Sequence, residues 1–221
     1  MSLRAELDAF YQARQEQIPL EIREIMARSA ATLAAGGQAD RAVAAGEAAP
    51  SFTLPSATGR VITLAERLAE GPVVLTFYRG AWCPYCNLTL HALQQAHADI
   101  KARGAQLIAI SPQIPDESLS LTEKHQLGFD VLSDIGCATA TEYGLSFDID
   151  EELAGVYDRL GFEMERVNAG HARTLPLPAT FVIAPDGTIA WAFVDTDYTK
   201  RAEPADILAA LDALVAAPSG A

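Results

Sequence analysis

Two cysteines, Cys83 and Cys86, flank a Pro-Tyr pair in the stretch Phe77-Tyr78-Arg79-Gly80-Ala81-Trp82-Cys83-Pro84-Tyr85-Cys86. An apolar, β-branched run, Val73-Val74-Leu75-Thr76-Phe77, precedes them, and a helical pattern follows. The spacing predicts a strand, a short turn and a helix, with the pair at the helix N-terminus. Free backbone N–H groups and the helix dipole there favour a thiolate over a thiol. A thiolate exchanges disulfides and attacks peroxides, so redox thiol chemistry is the expected activity. On a helix, residues three apart are neighbours, which brings the two sulfurs within reach of each other.

The surrounding elements must hold that turn. Val73 to Tyr78 reads as a central strand and Cys83 to Arg103 as a helix, with Leu90, Leu93, His97 and Ile100 along one face. Gln106 to Ser111 is a buried strand, Asp116 to Leu127 a helix and Phe129 to Leu132 a short strand. Ala138 to Tyr143 is a helical turn, and Leu145 to Leu175 reads as irregular and partly helical. Thr180 to Ala184 and Thr188 to Val194 form a hairpin around Pro185-Asp186-Gly187, and Pro204 to Val215 is a terminal helix. Ser51 to Leu54 and Arg60 to Leu64 are short edge elements. This alternation predicts an α/β fold, a mixed sheet between helices.

Before it, residues 2–35 read as two helices broken at Ile18-Pro19 and stopped at Gly36-Gly37. The expected division is an N-terminal helical extension over residues 1–44 and a main domain over 45–216. Gln38 to Pro50 reads as a linker and Ala216 to Ala221 as a frayed tail. The extension is expected to pack on the main domain or on a partner subunit, and no chemistry is read in it.

Half of the 221 residues are hydrophobic and 20% are charged, an ordinary globular balance. With 16 basic against 29 acidic residues the formal net charge is −13. Such a surface repels nucleic acid and anionic membranes. No apolar run approaches the ~18 residues of a membrane span. The start, Met1-Ser2-Leu3-Arg4-Ala5-Glu6, has no apolar signal region, and the expected location is cytoplasmic. In a reducing compartment a Cys-x-x-Cys is catalytic or metal-binding more often than structural. Zinc asks for four ligands; Cys137 and the scattered histidines do not complete a set with the pair, so no metal is expected. No Gly-rich phosphate loop follows the first strand, and no cofactor is expected. A thiol switch without turnover is the other non-enzyme reading.

The chain resembles the peroxiredoxin superfamily, the alkyl hydroperoxide reductase and thiol-specific antioxidant group, over about residues 45–215. The resemblance rests on Ala49-Pro50-Ser51-Phe52-Thr53-Leu54, Phe77-Tyr78, Leu132-Ser133-Asp134 and Pro178-Ala179-Thr180-Phe181-Val182-Ile183 with its Asp186-Gly187 turn. It implies a thioredoxin-like fold. Laid on this chain, the group's peroxidatic cysteine is Cys86, its Thr falls on Cys83, its Pro on Arg79 and its downstream Arg on Pro178. The replacements are similar to thioredoxin: Trp82-Cys83-x-x-Cys86, with a Pro-Tyr dipeptide as in glutaredoxins. The subfamily implied is peroxiredoxin-like with a Cys-x-x-Cys.

That resemblance implies a thiol-dependent peroxidase acting on hydrogen peroxide and organic hydroperoxides. Cys86 would be peroxidatic and Cys83 resolving, with recycling by a thioredoxin- or glutathione-type reductant and association as a homodimer. The alternative is a thioredoxin-like disulfide oxidoreductase with Cys83 as the exposed nucleophile. The residues alone leave the two open. Arg79 is expected to lend charge to the thiolate, Trp82 to cover the pair, and Tyr85 to donate its hydroxyl to a bound peroxide. Pro178 is expected to be cis, leaving a backbone edge for substrate. Cys137 is expected to be a small core residue, and His91, His97 and His171 to lie at surface or core-edge positions.

Overall fold

The run Val73–Phe77 is apolar without alternation because it is covered on both faces. In the computed structural model, which describes residues 2–216, all five of these residues are buried. The chain begins with α1 (Leu3–Gln15) and α2 (Leu20–Ala35), followed by a two-stranded ladder of β1 (Thr53–Pro55) and β2 (Val61–Thr63). Next come α3 (Leu64–Glu70), β3 (Val73–Phe77), α4 (Pro84–Ala102), β4 (Gln106–Ser111), α5 (Pro115–His125), β5 (Asp130–Ser133) and α6 (Ala138–Glu142). The remainder is β6 (Ser146–Asp148), α7 (Glu151–Arg159), α8 (Met164–Val167), β7 (Thr174–Pro176), β8 (Ala179–Ile183), β9 (Ile189–Val194) and α9 (Pro204–Ala216).

The central sheet has the order β5-β4-β3-β8-β9. β3 runs parallel to β4, with Val73 opposite Gln106 and Phe77 opposite Ile110, and antiparallel to β8, with Phe77 opposite Ala179. Successive side chains point to opposite faces. Val74, Ala109, Val131 and Val182 therefore meet Leu90, Leu93 and Ile100 of α4 on one face. Leu75, Phe77, Ile110 and Phe181 meet Tyr143 and Leu145 on the other. A mixed sheet between helices is thus the observed architecture, as the alternation predicted.

The two N-terminal helices pack on this body. Leu3 and Leu7 of α1 share the core of α4, and Ile25 of α2 packs with Leu153 and Val156 of α7. Gln38 to Pro50, expected as a linker, is instead fastened along its length. Buried Gln38 donates to Gly144 O and Ser146 O, both at 3.0 Å. Gly46 N donates to Ile189 O at 2.8 Å, and Ala48 bridges Thr188. Alanine and glycine leave the backbone there open to such bonding. The segment from Leu145 to Leu175 is more regular than expected: β6 pairs with β7, and α7 and α8 lie between them. Of the expected frayed tail, Ala216 ends α9, and residues 217–221 lie outside the described residues.

Candidate active site

The turn that delivers the cysteines starts where β3 ends. Tyr78 N donates to Ile110 O at 2.9 Å, which prolongs the sheet by one residue. The chain then bends at Gly80, with φ at +142°. A Cβ on Gly80 would lie 2.4 Å from Trp82 Nε1 and 3.1 Å from Gln113 Cδ. Both the backbone angle and the space therefore call for glycine. Ala81 N donates to Gln113 Oε1 at 2.6 Å, and Asn87 Nδ2 donates to Ala81 O at 2.9 Å. Cys83 is the N-cap of α4 and Pro84 its first residue, where a missing N–H costs nothing. Cys86 sits on the same first turn.

Both sulfurs are enclosed. Cys83 is 2% exposed and Cys86 0%. Burial opposes ionisation of either. At Cys86 it is outweighed by a hydrogen bond from the Cys83 thiol, by the charge of Arg201, and by the backbone N–H and charge of Arg79. The result is a Cys86 thiol held well below its ordinary range. Cys83 is pushed up, first by burial and then by the thiolate beside it. Of the two positions, the surroundings favour the negative charge on Cys86 and the proton on Cys83.

Two buried arginines act on the pair. Arg201 comes from the segment between β9 and α9, 115 residues along the chain, and its Nη2 lies 3.6 Å from Cys86 Sγ. It is buried, and its Nη1 donates to the carbonyls of Tyr198 and Lys200. Arg79, from the turn itself, is 4% exposed. Its guanidinium lies 4.9 Å from the Trp82 ring, 4.8 Å from Tyr198 and 5.5 Å from Tyr157, and donates to the Tyr157 hydroxyl. Burial acts to discharge it, but Tyr157 and the two cysteines hold it firmly protonated. A desolvated cation over aromatic faces gains about 2 kcal/mol.

The other expected residues fall as follows. Trp82 is half-buried and stacks on Phe162 at 4.9 Å, beside Tyr157 at 5.3 Å. Tyr85 is buried between Phe10 of α1, at 5.2 Å, and Tyr198, at 5.6 Å. Pro178 lines a narrow apolar cleft with Arg79, Tyr157 and Tyr198, opposite Met26 and Leu33 of α2. Its peptide bond is trans, against the expected cis form: no described peptide bond is cis. Pro178 continues the extended path from β7 into β8, whose first residue, Ala179, already pairs with Phe77; an extended X-Pro step needs no isomer change. Cys137 is buried with its thiol pushed up by burial. His91 is exposed and meets Gln95, His97 packs on Phe129, and His171 lies against Gly136, all on other parts of the molecule. Arg201, Tyr157, Tyr198 and Gln113 carry no local sequence signal and enter the site only through the fold. The three cysteines are free thiols. Among the described residues no cluster of three or more metal-binding side chains is present, and no helix is long and apolar enough to cross a membrane.

The AhpC/TSA family pattern matches residues 45–192. Chloroplastic peroxiredoxin Q from Populus jackii is 32% identical over 110 residues, covering 50% of this chain and 51% of the relative. The thiol-disulfide oxidoreductase ResA of Halalkalibacterium halodurans is 30% identical over 109 residues, covering 48% of this chain and 61% of the relative. The chain thus spans about half the length of the peroxiredoxin Q relatives it matches. Among solved structures, peroxidoxin BcpB from Mycobacterium tuberculosis superposes with a TM-score of 0.61 at 22% identity, covering 78% of this chain and 98% of that one. A mutant of peroxiredoxin 6 from Arenicola marina gives 0.63 at 22% identity, covering 78% and 74%. These likenesses establish a shared peroxiredoxin, thioredoxin-like fold.

Proposed function

The chain belongs to the AhpC/TSA family, and from that premise we propose that it is a thiol-dependent peroxidase with Cys86 as the peroxidatic residue. One observation carries the reading: Arg201 Nη2 lies 3.6 Å from the Cys86 sulfur, in a site where buried Arg79 supplies a second positive charge. The Cys86 thiolate attacks the terminal oxygen of a hydroperoxide. The O–O bond breaks, the alkoxide or hydroxide takes up a proton, and an alcohol or water leaves. Cys86 is oxidised by two electrons to a sulfenic acid. Cys83 then attacks that sulfur; the S–S bond forms, and the hydroxyl group and the Cys83 proton leave as water. An external dithiol of the thioredoxin or glutathione class reduces the disulfide and is itself oxidised.

Positive charge supports both the resting thiolate and the negative charge that develops on the leaving oxygen. Arg201 supplies it although the family's downstream Arg position is occupied by Pro178. Arg79 is its second source, Trp82 covers the pair, Tyr85 braces it against α1, and Pro178 borders the cleft behind Arg79. The same proposal divides the chain into the helical extension of residues 1–44 and the peroxiredoxin-like domain of 45–216. It also includes a homodimer and a cytoplasmic location, where a reducing compartment maintains the dithiol.

The likeness to ResA favours a second reading, exchange with protein disulfides through Cys83. That route needs Cys83 as the attacking thiolate, whereas its thiol is pushed up by burial and by Cys86 beside it. The deciding assay follows peroxide consumption with a thioredoxin recycling system. Sustained turnover that vanishes in Cys86→Ser is expected. Reduction of a model protein disulfide without peroxide turnover would reverse the assignment.

A further inference from the structure

A thiolate that is 0% exposed needs a path to its substrate. The cleft behind Arg79 encloses only about 30 Å³, room for about one water. On the other side of the site, α1 and the segment between β9 and α9 enclose about 370 Å³. That lies within the ~300–1,000 Å³ of small-ligand pockets. Arg4, Leu7 and Asp8 form one wall, at positions i, i+3 and i+4 on a single face of α1. Phe193 and Lys200 stand opposite, and Arg201, the arginine in contact with Cys86 Sγ, also lines the space.

The geometry points to this cavity as the holding site for the body of an organic hydroperoxide, with α1 as a specificity wall. The inference rests on the peroxidase reading given above. Leu7 and Phe193 offer apolar surface for a hydrocarbon group. Among the described residues, Arg201 commits three N–H groups, to Tyr198 O, Lys200 O and Cys86 Sγ. A guanidinium has five, so two remain for the peroxide oxygens on the one residue that both lines the cavity and touches the sulfur. The wall is anchored at this spot: Leu3 N and Arg4 N both donate to the Glu203 carboxylate, two residues beyond Arg201. α1 lies outside the region matched by the family pattern, so this selectivity would be particular to chains carrying the extension.

The test compares second-order rate constants of the reduced full-length protein for cumene hydroperoxide and for hydrogen peroxide. Asp8→Trp and Arg4→Trp place bulk at the exposed rim of the cavity, where folding is little affected. Ala9→Trp on the same helix, away from the cavity, is the control. Losing the apolar subsite is expected to lower the cumene-to-hydrogen-peroxide ratio about 10-fold or more in both rim variants, with Ala9→Trp keeping the wild-type ratio. An unchanged ratio in the rim variants would overturn the assignment. So would selective slowing of recycling by dithiothreitol with both oxidations intact, which would make the cavity the reductant's route. A wild-type protein that consumes neither peroxide would instead refute the peroxidase reading, and the cavity's role with it.

Discussion

Removing the Arg201 charge is the perturbation with the most calculable consequence. Its Nη2 is 3.6 Å from Cys86 Sγ. Two unit charges at that distance attract by about 4.6 kcal/mol at an effective dielectric of ~20. This is a ceiling, because the guanidinium charge is spread over three nitrogens and water entering an Arg201→Gln site replaces part of it. Half the ceiling, about 2.3 kcal/mol, corresponds to about a 50-fold change in thiolate acidity. The sign follows from the protonation states: Arg201 favours the thiolate, so its loss raises the pH at which Cys86 ionises. Wild-type Cys86, already below the ordinary thiol range, should react at near-constant rate through neutral pH and slow only in acid. In Arg201→Gln the fall should begin at higher pH, the midpoint moving up by about 1.7 pH units. The assay is the pH dependence of alkylation at Cys86, resolved from Cys83 by peptide mass spectrometry. A midpoint that does not move would refute the claim that Arg201 sustains the thiolate.

Four further outcomes are expected. Arg79→Lys should lower both the peroxide rate and the thermal midpoint, because an ammonium cannot reproduce a planar cation against Trp82, Tyr157 and Tyr198; scanning calorimetry and peroxide kinetics check this. Leu90→Ala, at a fully buried position beneath the cysteines, should cost about 2–5 kcal/mol in urea unfolding. Glu203→Gln should weaken the cap on α1 by about 0.3–1 kcal/mol, read as faster hydrogen exchange of α1 amides with the sheet unaffected. Gly144→Ala should be strongly destabilising in the same unfolding assay, since φ is +71° and a Cβ would meet Arg41 O at 2.0 Å.

The cysteine turn was readable from sequence because its determinants are local. An apolar strand, a glycine bend and a proline at the first helical position lie within fifteen residues. The sheet was readable for the same reason, from runs such as Val73–Phe77 and Gln106–Ser111. The charges that tune the thiolate were less so. Arg79 was legible as a neighbour, but its burial depends on Tyr157 and Tyr198 from distant segments. Arg201 follows a strand end with no motif, and only the segment after the edge strand β9 brings it to Cys86. Tyr157 lies in a stretch that read as irregular, because α7 is short and its apolar face is completed by α2 rather than by the sheet. At Pro178, likeness to thioredoxin suggested a cis bond, whereas the extended run from β7 into β8 holds it trans. The extension read as plain packing; its place beside two cavities is a tertiary property that helical periodicity does not encode.

A peroxidase built on this site takes the peroxide oxygen onto the Cys86 sulfur. The direct measurement adds one equivalent of hydrogen peroxide to Cys83→Ser in the presence of a sulfenic-acid trap and maps the adduct by mass spectrometry. A stoichiometric adduct on Cys86, formed at a rate matching peroxide loss, is the predicted result. An unmodified Cys86 in folded protein, with wild type reducing a protein disulfide through Cys83, would contradict it.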